Sequence, residues 1–191
     1  MSRITSEWLH EDHAKPAPVL VLGLGNVLIE DEGIGIAAIE YLSNYYHFGD
    51  DVELLDGGTS GMTLLEDIRN RDTVIVLDAV NTGHPPGELV ILKNEEVPAF
   101  LRNKVSPHQL ALSDVLAILS FTNEQPENIA VIGVEPVSLK TRIGLSPEVR
   151  KQLEPIINEV LVMISAAGYS VPEKSNHTRH ETNTPFSFSV N

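Results

Sequence analysis

A few side chains in this sequence have the types and placing to do chemistry. Glu30, Asp31 and Glu32 stand between a glycine-rich stretch, Gly23-Leu24-Gly25-Asn26, and a helical pattern opening at Gly33–Gly35. Carboxylates ahead of a helix can simply complement its dipole, for about 0.3–1 kcal/mol each, and that ordinary role competes with a chemical one. Asp78 directly follows the run Thr73–Leu77 (TVIVL). An acid at the tip of a buried strand must cap, pair or react to offset its desolvation. His108 lies in Ser106-Pro107-His108-Gln109, in the first turn of a helix. The positive end of the dipole disfavours an imidazolium there, and neutral imidazole is the metal-binding form. Two carboxylates and one imidazole make a mixed oxygen and nitrogen donor set, suited to a borderline divalent ion such as Ni²⁺ or Zn²⁺ with positions left open. The three are distant in the chain, so no spacing rule certifies the site.

Such residues need a scaffold that brings them together. Continuous, β-branched apolar runs at Val19–Leu24, Val52–Leu55, Thr73–Leu77, Glu88–Leu92 and Asn128–Val134 predict five strands, most of them covered on both faces. Helical spacing predicts helices over Gly35–Tyr45, Met62–Ile68, Pro107–Leu119 and Pro147–Ala166. Ser106 as N-cap, Pro107 at the first position and Gln109 mark the third start, and Pro155 predicts a kink or break in the last helix. The segment NTGHPPG, which holds His84, is too short and too rich in Pro and Gly for a helix. It allows an antiparallel third and fourth strand joined by a loop. The expected fold is α/β, a three-layer αβα sandwich on a five-stranded, mostly parallel twisted sheet. Ligands in such sheets bind beyond the carboxyl ends of the strands, where strand order reverses. In the order 2-1-3-4-5 that point lies between strands one and three. The segments after those strands carry Glu32 and Asp78.

Composition narrows the function classes. The chain has 191 residues, 42% of them apolar, enough for one domain with a core. Residues 1–17 read as a flexible N-terminal extension, 18–170 as the α/β domain and 171–191 as a flexible polar tail rich in Asn, Thr and Ser. The formal charge of −14 opposes binding to a phosphate backbone, so no nucleic-acid partner is expected. No cysteine is present, which excludes thiolate nucleophiles and fits a reducing compartment. No apolar run approaches the roughly 20 residues of a membrane span, and the N-terminus lacks a signal core. A cytoplasmic monomer without membrane attachment is the expectation. HEDH at 10–13 misses the H-E-x-x-H spacing, and no G-x-S-x-G elbow occurs.

Five stretches in order carry a family resemblance: VLGLGNVLIEDEGIG at 21–35, ELLDGGTSGMTLLEDIRNRDTVIVLDAV at 53–80, PGELVILKNEEVPA at 86–99, KVSPHQLALSDVLAIL at 104–119 and VIGVEPVSLKTRIGLSPEV at 131–149. Together they resemble the nickel–iron hydrogenase maturation proteases. The resemblance implies an endopeptidase, sometimes grouped with aspartic proteases, that acts on the precursor of the hydrogenase large subunit. It implies removal of a C-terminal extension after nickel has been inserted, with nickel carried by the substrate and Zn or Cd able to substitute in vitro. It assigns metal contact and catalysis to Glu32, Asp78 and His108. Gly25 and Asn26, with the segment Asp56, Gly57, Gly58 and Thr59, become candidates for lining the substrate cleft. The same ligands would also serve a non-catalytic nickel-binding assembly chaperone. A dinucleotide-binding oxidoreductase is a weaker alternative, since Leu28 stands where G-x-G-x-x-G needs its third glycine. A peptidyl-tRNA hydrolase shares the GLGN loop but not its following Pro-Gly, and the charge opposes tRNA.

Overall fold

The computed structural model describes residues 16–101 and 107–171, without the side chains of 107–110. Residues 1–15 and 172–191, most of the expected extension and tail, lie outside the described residues, as does the expected cap Ser106.

Five strands form one sheet: β1 (Val19–Leu24), β2 (Val52–Gly58), β3 (Thr73–Ala79), β4 (Leu89–Lys93) and β5 (Asn128–Val134). The spatial order is β2-β1-β3-β5-β4. Every residue of β1 and β3 is buried, the signature of central strands covered on both faces. β1 pairs in parallel with β2 and β3, β3 pairs in parallel with β5, and β4 runs antiparallel on β5.

The antiparallel strand was expected beside β3, but β5 lies between them. Residues 80–88 arch over the end of β5 before β4 returns along its far side. Nine residues reach roughly 30 Å, ample to cross one strand spacing on either side of β5. Order 2-1-3 is as expected, and so is the reversal point between β1 and β3.

Side-chain alternation sorts the core into two layers. Val19, Val21, Ile75, Leu77 and Ile132 face α1 (Ile34–Tyr45), α5 (Pro147–Arg150) and α6 (Leu153–Ala166). Leu20, Leu22, Val74, Val76 and Val131 face α2 (Leu64–Ile68), α3 (Glu96–Leu101) and α4 (Pro107–Thr122). The result is the expected sandwich. The last helix is divided at Lys151–Gln152, ahead of Pro155. Pro155 then sits in the first turn of α6, where its missing N–H is harmless. α3 was not anticipated: Val97 and Leu101 give it an inward face, but Pro98 inside EVPAFL reads as a breaker.

Candidate active site

The chain leaves β1 at Leu24 and turns at Gly25, whose φ is +129°. A Cβ there would lie 1.8 Å from the Glu32 carbonyl oxygen, so only glycine lets the loop close on the turn that follows. Asn26 Oδ1 accepts from the Leu28 N–H at 3.0 Å, fixing the loop from within. Glu30–Gly33 then forms one 3₁₀ turn leading into α1. At Gly35 the start of α1 presses on the sheet: a Cβ would come within 2.3 Å of the Leu24 carbonyl oxygen and 2.2 Å of that of Leu77. The helix start therefore bridges the carboxyl ends of β1 and β3, and the turn bearing Glu32 packs against β3.

The three adjacent carboxylates have different surroundings. Asp31 is fully buried, and its Oδ2 accepts from the N–H groups of Val137 at 2.9 Å and Ser138 at 2.8 Å. Its Oδ1 accepts from the Ser146 N–H at 2.7 Å. Glu30, also buried, accepts from the Ser138 hydroxyl and pairs with the exposed guanidinium of Arg142. Its φ of +27° marks a backbone bent to reach those partners. Glu32 alone of the three is partly exposed.

Asp78 lies inside β3, one residue before its end, and is only 4% exposed. Alternation after Val74 and Val76 assigns it to the face covered by α4. The beginning of α4 reaches the same edge. Ala111 lies against Gly61, in the loop that follows β2, where a Cβ would meet the Ala111 Cβ at 3.4 Å. His108 is one helical turn earlier; its side chain is outside the described residues. Among the described residues no three His, Asp or Glu side chains gather to hold a metal ion.

Asp56–Gly58 of the DGGT segment end β2, and Thr59 follows it. Asp56 is exposed and its Oδ1 accepts from the Gly58 N–H at 2.9 Å. Gly57 is buried beneath Leu22 and Leu24, and Thr59 is exposed. The Gly25 N–H donates to the Gly58 carbonyl at 2.9 Å, joining the β1 and β2 loops into one rim.

Sequence reasoning missed how the far side of this rim is built. Glu135, just past β5, accepts from the Thr82 hydroxyl, the Thr82 N–H and, at 3.1 Å, the His84 N–H. Burial pushes its carboxyl up, but these donors and the Gly83 N–H outweigh that and hold it below its ordinary value. Thr82 Oγ1 also lies 2.6 Å from His84 Nδ1. Thr82 is spent as donor to an ionised carboxylate, so His84 Nδ1 carries the hydrogen. The only sequence clue was an acid directly after the apolar run Asn128–Val134.

Comparison with known proteins identifies the family. The hydrogenase maturation protease family model, HycI, matches residues 36–163. The chain is 47% identical over 161 residues to the hydrogenase 2 maturation protease of Escherichia coli strain K12, covering 83% of this chain and 98% of that one. The hydrogenase maturating endopeptidase HybD of E. coli superposes with a TM-score of 0.78 at 48% identity, over 81% of this chain and 97% of that one. A hydrogenase 2 maturation peptidase from the Thaumarchaeota archaeon SCGC_AB-539-E09 matches with a TM-score of 0.57 at 31% identity, over 80% and 99%. Matched along most of its own length and nearly all of theirs, the chain belongs to the hydrogenase maturation protease family and is an endopeptidase.

Proposed function

We propose that this enzyme removes the C-terminal extension of a nickel–iron hydrogenase large-subunit precursor, and that Glu32, Asp78 and His108 grip nickel already carried by that substrate. The observation supporting this is the seating of Gly35 on the Leu24 and Leu77 carbonyls, which holds the turn of Glu32 over the end of the strand bearing Asp78. The neighbouring acids Glu30 and Asp31 are buried and serve the fold, whereas Glu32 is partly exposed at the edge where a ligand would arrive. Carboxylate oxygens and an imidazole nitrogen suit a borderline divalent ion, and the same donors would accept Zn²⁺ or Cd²⁺ in vitro.

Metal in the substrate then acts as a checkpoint. Without it the cleft loses part of its binding energy, and an unfinished precursor is spared. Two chemistries fit the residues. The ion can polarise the scissile carbonyl, or Asp78 can take a proton from the attacking water in the manner of an aspartic protease. The cysteine-free composition and the lack, among the described residues, of a helix long and apolar enough to cross a membrane suit a cytoplasmic monomer meeting its substrate before export or assembly.

The test is incubation with large-subunit precursor prepared with and without nickel, read by intact mass. The reading expects loss of the C-terminal peptide only from the loaded form. Equal cleavage of both forms would remove nickel from the account. Binding of loaded precursor with no mass loss would favour a non-catalytic assembly factor.

A further inference from the structure

Glu30–Glu32 and residues 135–146, more than 100 positions apart, are joined by a dense polar seam. The Asp31 carboxylate accepts from the N–H groups of Val137, Ser138 and Ser146, and its own N–H donates to the Ser138 carbonyl at 3.2 Å. The Glu30 N–H donates to the Arg142 carbonyl at 2.8 Å, and Ile29 bridges to Thr141 and Arg142. Asp31 is fully buried, and among the described residues the hydrogen-bond partners of its carboxylate are backbone N–H groups, with no cation. Such an arrangement fixes both partners closely, because three donors, the buried Ser146 N–H among them, would lose their acceptor if the carboxylate moved. Ser146, one of the three donors, is also the N-cap of α5. The seam thus runs from the turn of Glu32 to a helix packed in the core.

We propose that Asp31 is a positioning residue for the reaction: by clamping the Glu30–Gly33 turn to the loop after β5, it sets where the Glu32 carboxylate meets the substrate. This rests on the reading that Glu32 grips the substrate's metal ion. Asp31 itself touches no substrate. Its role differs from general stabilisation, because the clamped element is the one bearing Glu32, and the chain enters that turn through a strained φ at Glu30.

The test uses the full-length enzyme with Asp31→Asn, which keeps the shape of the side chain but replaces one acceptor with a donor facing an N–H. Amide hydrogen exchange over residues 29–33 should accelerate. The kcat on nickel-loaded precursor should fall roughly 10–100-fold, as when other groups that orient a metal-contacting side chain are lost, with KM near wild type. Should Asp31→Asn not fold, Ser138→Ala, which removes only the hydroxyl donated to Glu30, should shift both readouts in the same direction by less. Asp72→Asn is the control. It replaces the charged acceptor of the Tyr169 hydroxyl by a neutral amide at the opposite end of the sheet and should leave kcat unchanged. An Asp31→Asn enzyme that melts earlier, yet matches wild type in kcat and in exchange at the turn, would overturn the proposal. So would an equal loss of kcat in Asp72→Asn. A wild-type enzyme indifferent to nickel in the precursor sinks the metal reading instead, and the exchange comparison then decides the clamp by itself.

Discussion

The two ends of the sheet are built on different principles. At the amino ends of the strands, charge is closed off in pairs. Arg71, 3% exposed in its side chain, donates to the Asp67 and Ala17 carbonyls and pairs with Glu53 at 2.7 Å. Arg69 bridges Glu66 and Glu124, and the Tyr169 hydroxyl donates to Asp72 at 2.6 Å. At the carboxyl ends, Asp31 and Glu135 are held by N–H and hydroxyl donors from the described residues, Asp78 is buried, and Glu32 is partly exposed. Exposed apolar side chains gather there too: Leu28, Met62, Val137, Leu139 and Ile143 all stand on loops of that edge. A hollow of ≈ 200 Å³ opens at the amino end, lined by Thr73, Asn128, Met163 and Ala166, and among the described residues no acid or imidazole lines it. One end holds the fold together. The other gathers acids and exposed apolar surface, the combination that a site for a polypeptide substrate would use.

The sharpest way to break this contrast is to strike the carboxyl edge. Glu32→Gln, Asp78→Asn or His108→Ala should leave circular dichroism and melting temperature near wild type while processing of nickel-loaded precursor falls about 10²–10⁴-fold. A folded variant of any of the three that cleaves at wild-type rate would remove that residue from the site. Gly25→Ala comes next. It forces a Cβ into the Glu32 carbonyl at a φ of +129°, and should cost about 3 kcal/mol in chemical denaturation as well as activity.

The amino edge should respond in the opposite manner. Arg71→Ala removes three donors from buried or half-buried acceptors and should cost about 2 kcal/mol, with kcat per folded molecule unchanged. The smallest effect concerns pH. The hydrogen bond to Asp72, then burial, then the charges of Asp72, Asp51 and Glu127 push the Tyr169 phenol from 10.0 up to about 12. The protonated phenol is the form favoured in the folded chain. Its contribution is whole below pH 10 and is lost as pH rises through about 12. Tyr169→Phe should flatten that alkaline slope in urea titrations and leave processing at neutral pH untouched.

The fold was legible where burial and periodicity act locally. Val19–Leu24 and Asn128–Val134 are strands to the residue, because continuous apolar runs flanked by turn residues leave no other way to bury both faces. The order of β4 and β5 was not legible. The arch that carries the chain across β5 is tied to Glu135 through Thr82 and His84, a long-range polar contact that leaves no period in the sequence. The site divides in the same way. Glu32 and Asp78 could be placed by strand ends and the reversal point, whereas nothing local distinguishes Glu32 from Glu30 and Asp31. The difference in burial appears only in the fold, where Val137, Ser138, Arg142 and Ser146, far along the chain, enclose Glu30 and Asp31. Gly35 looked like a helix-start residue, and its contact with the Leu77 carbonyl appears only when β1 and β3 are side by side.

The account stands most directly on one ion shared by three side chains. A crystal structure of the full chain soaked in Ni²⁺ or Cd²⁺, with the metal located by its anomalous signal, tests it. The account predicts a single strong peak beyond the ends of β1 and β3, with a Glu32 oxygen, an Asp78 oxygen and a His108 nitrogen each about 2.0–2.4 Å from it. A peak elsewhere, or a bound ion that leaves any one of those three head groups turned away, would contradict it.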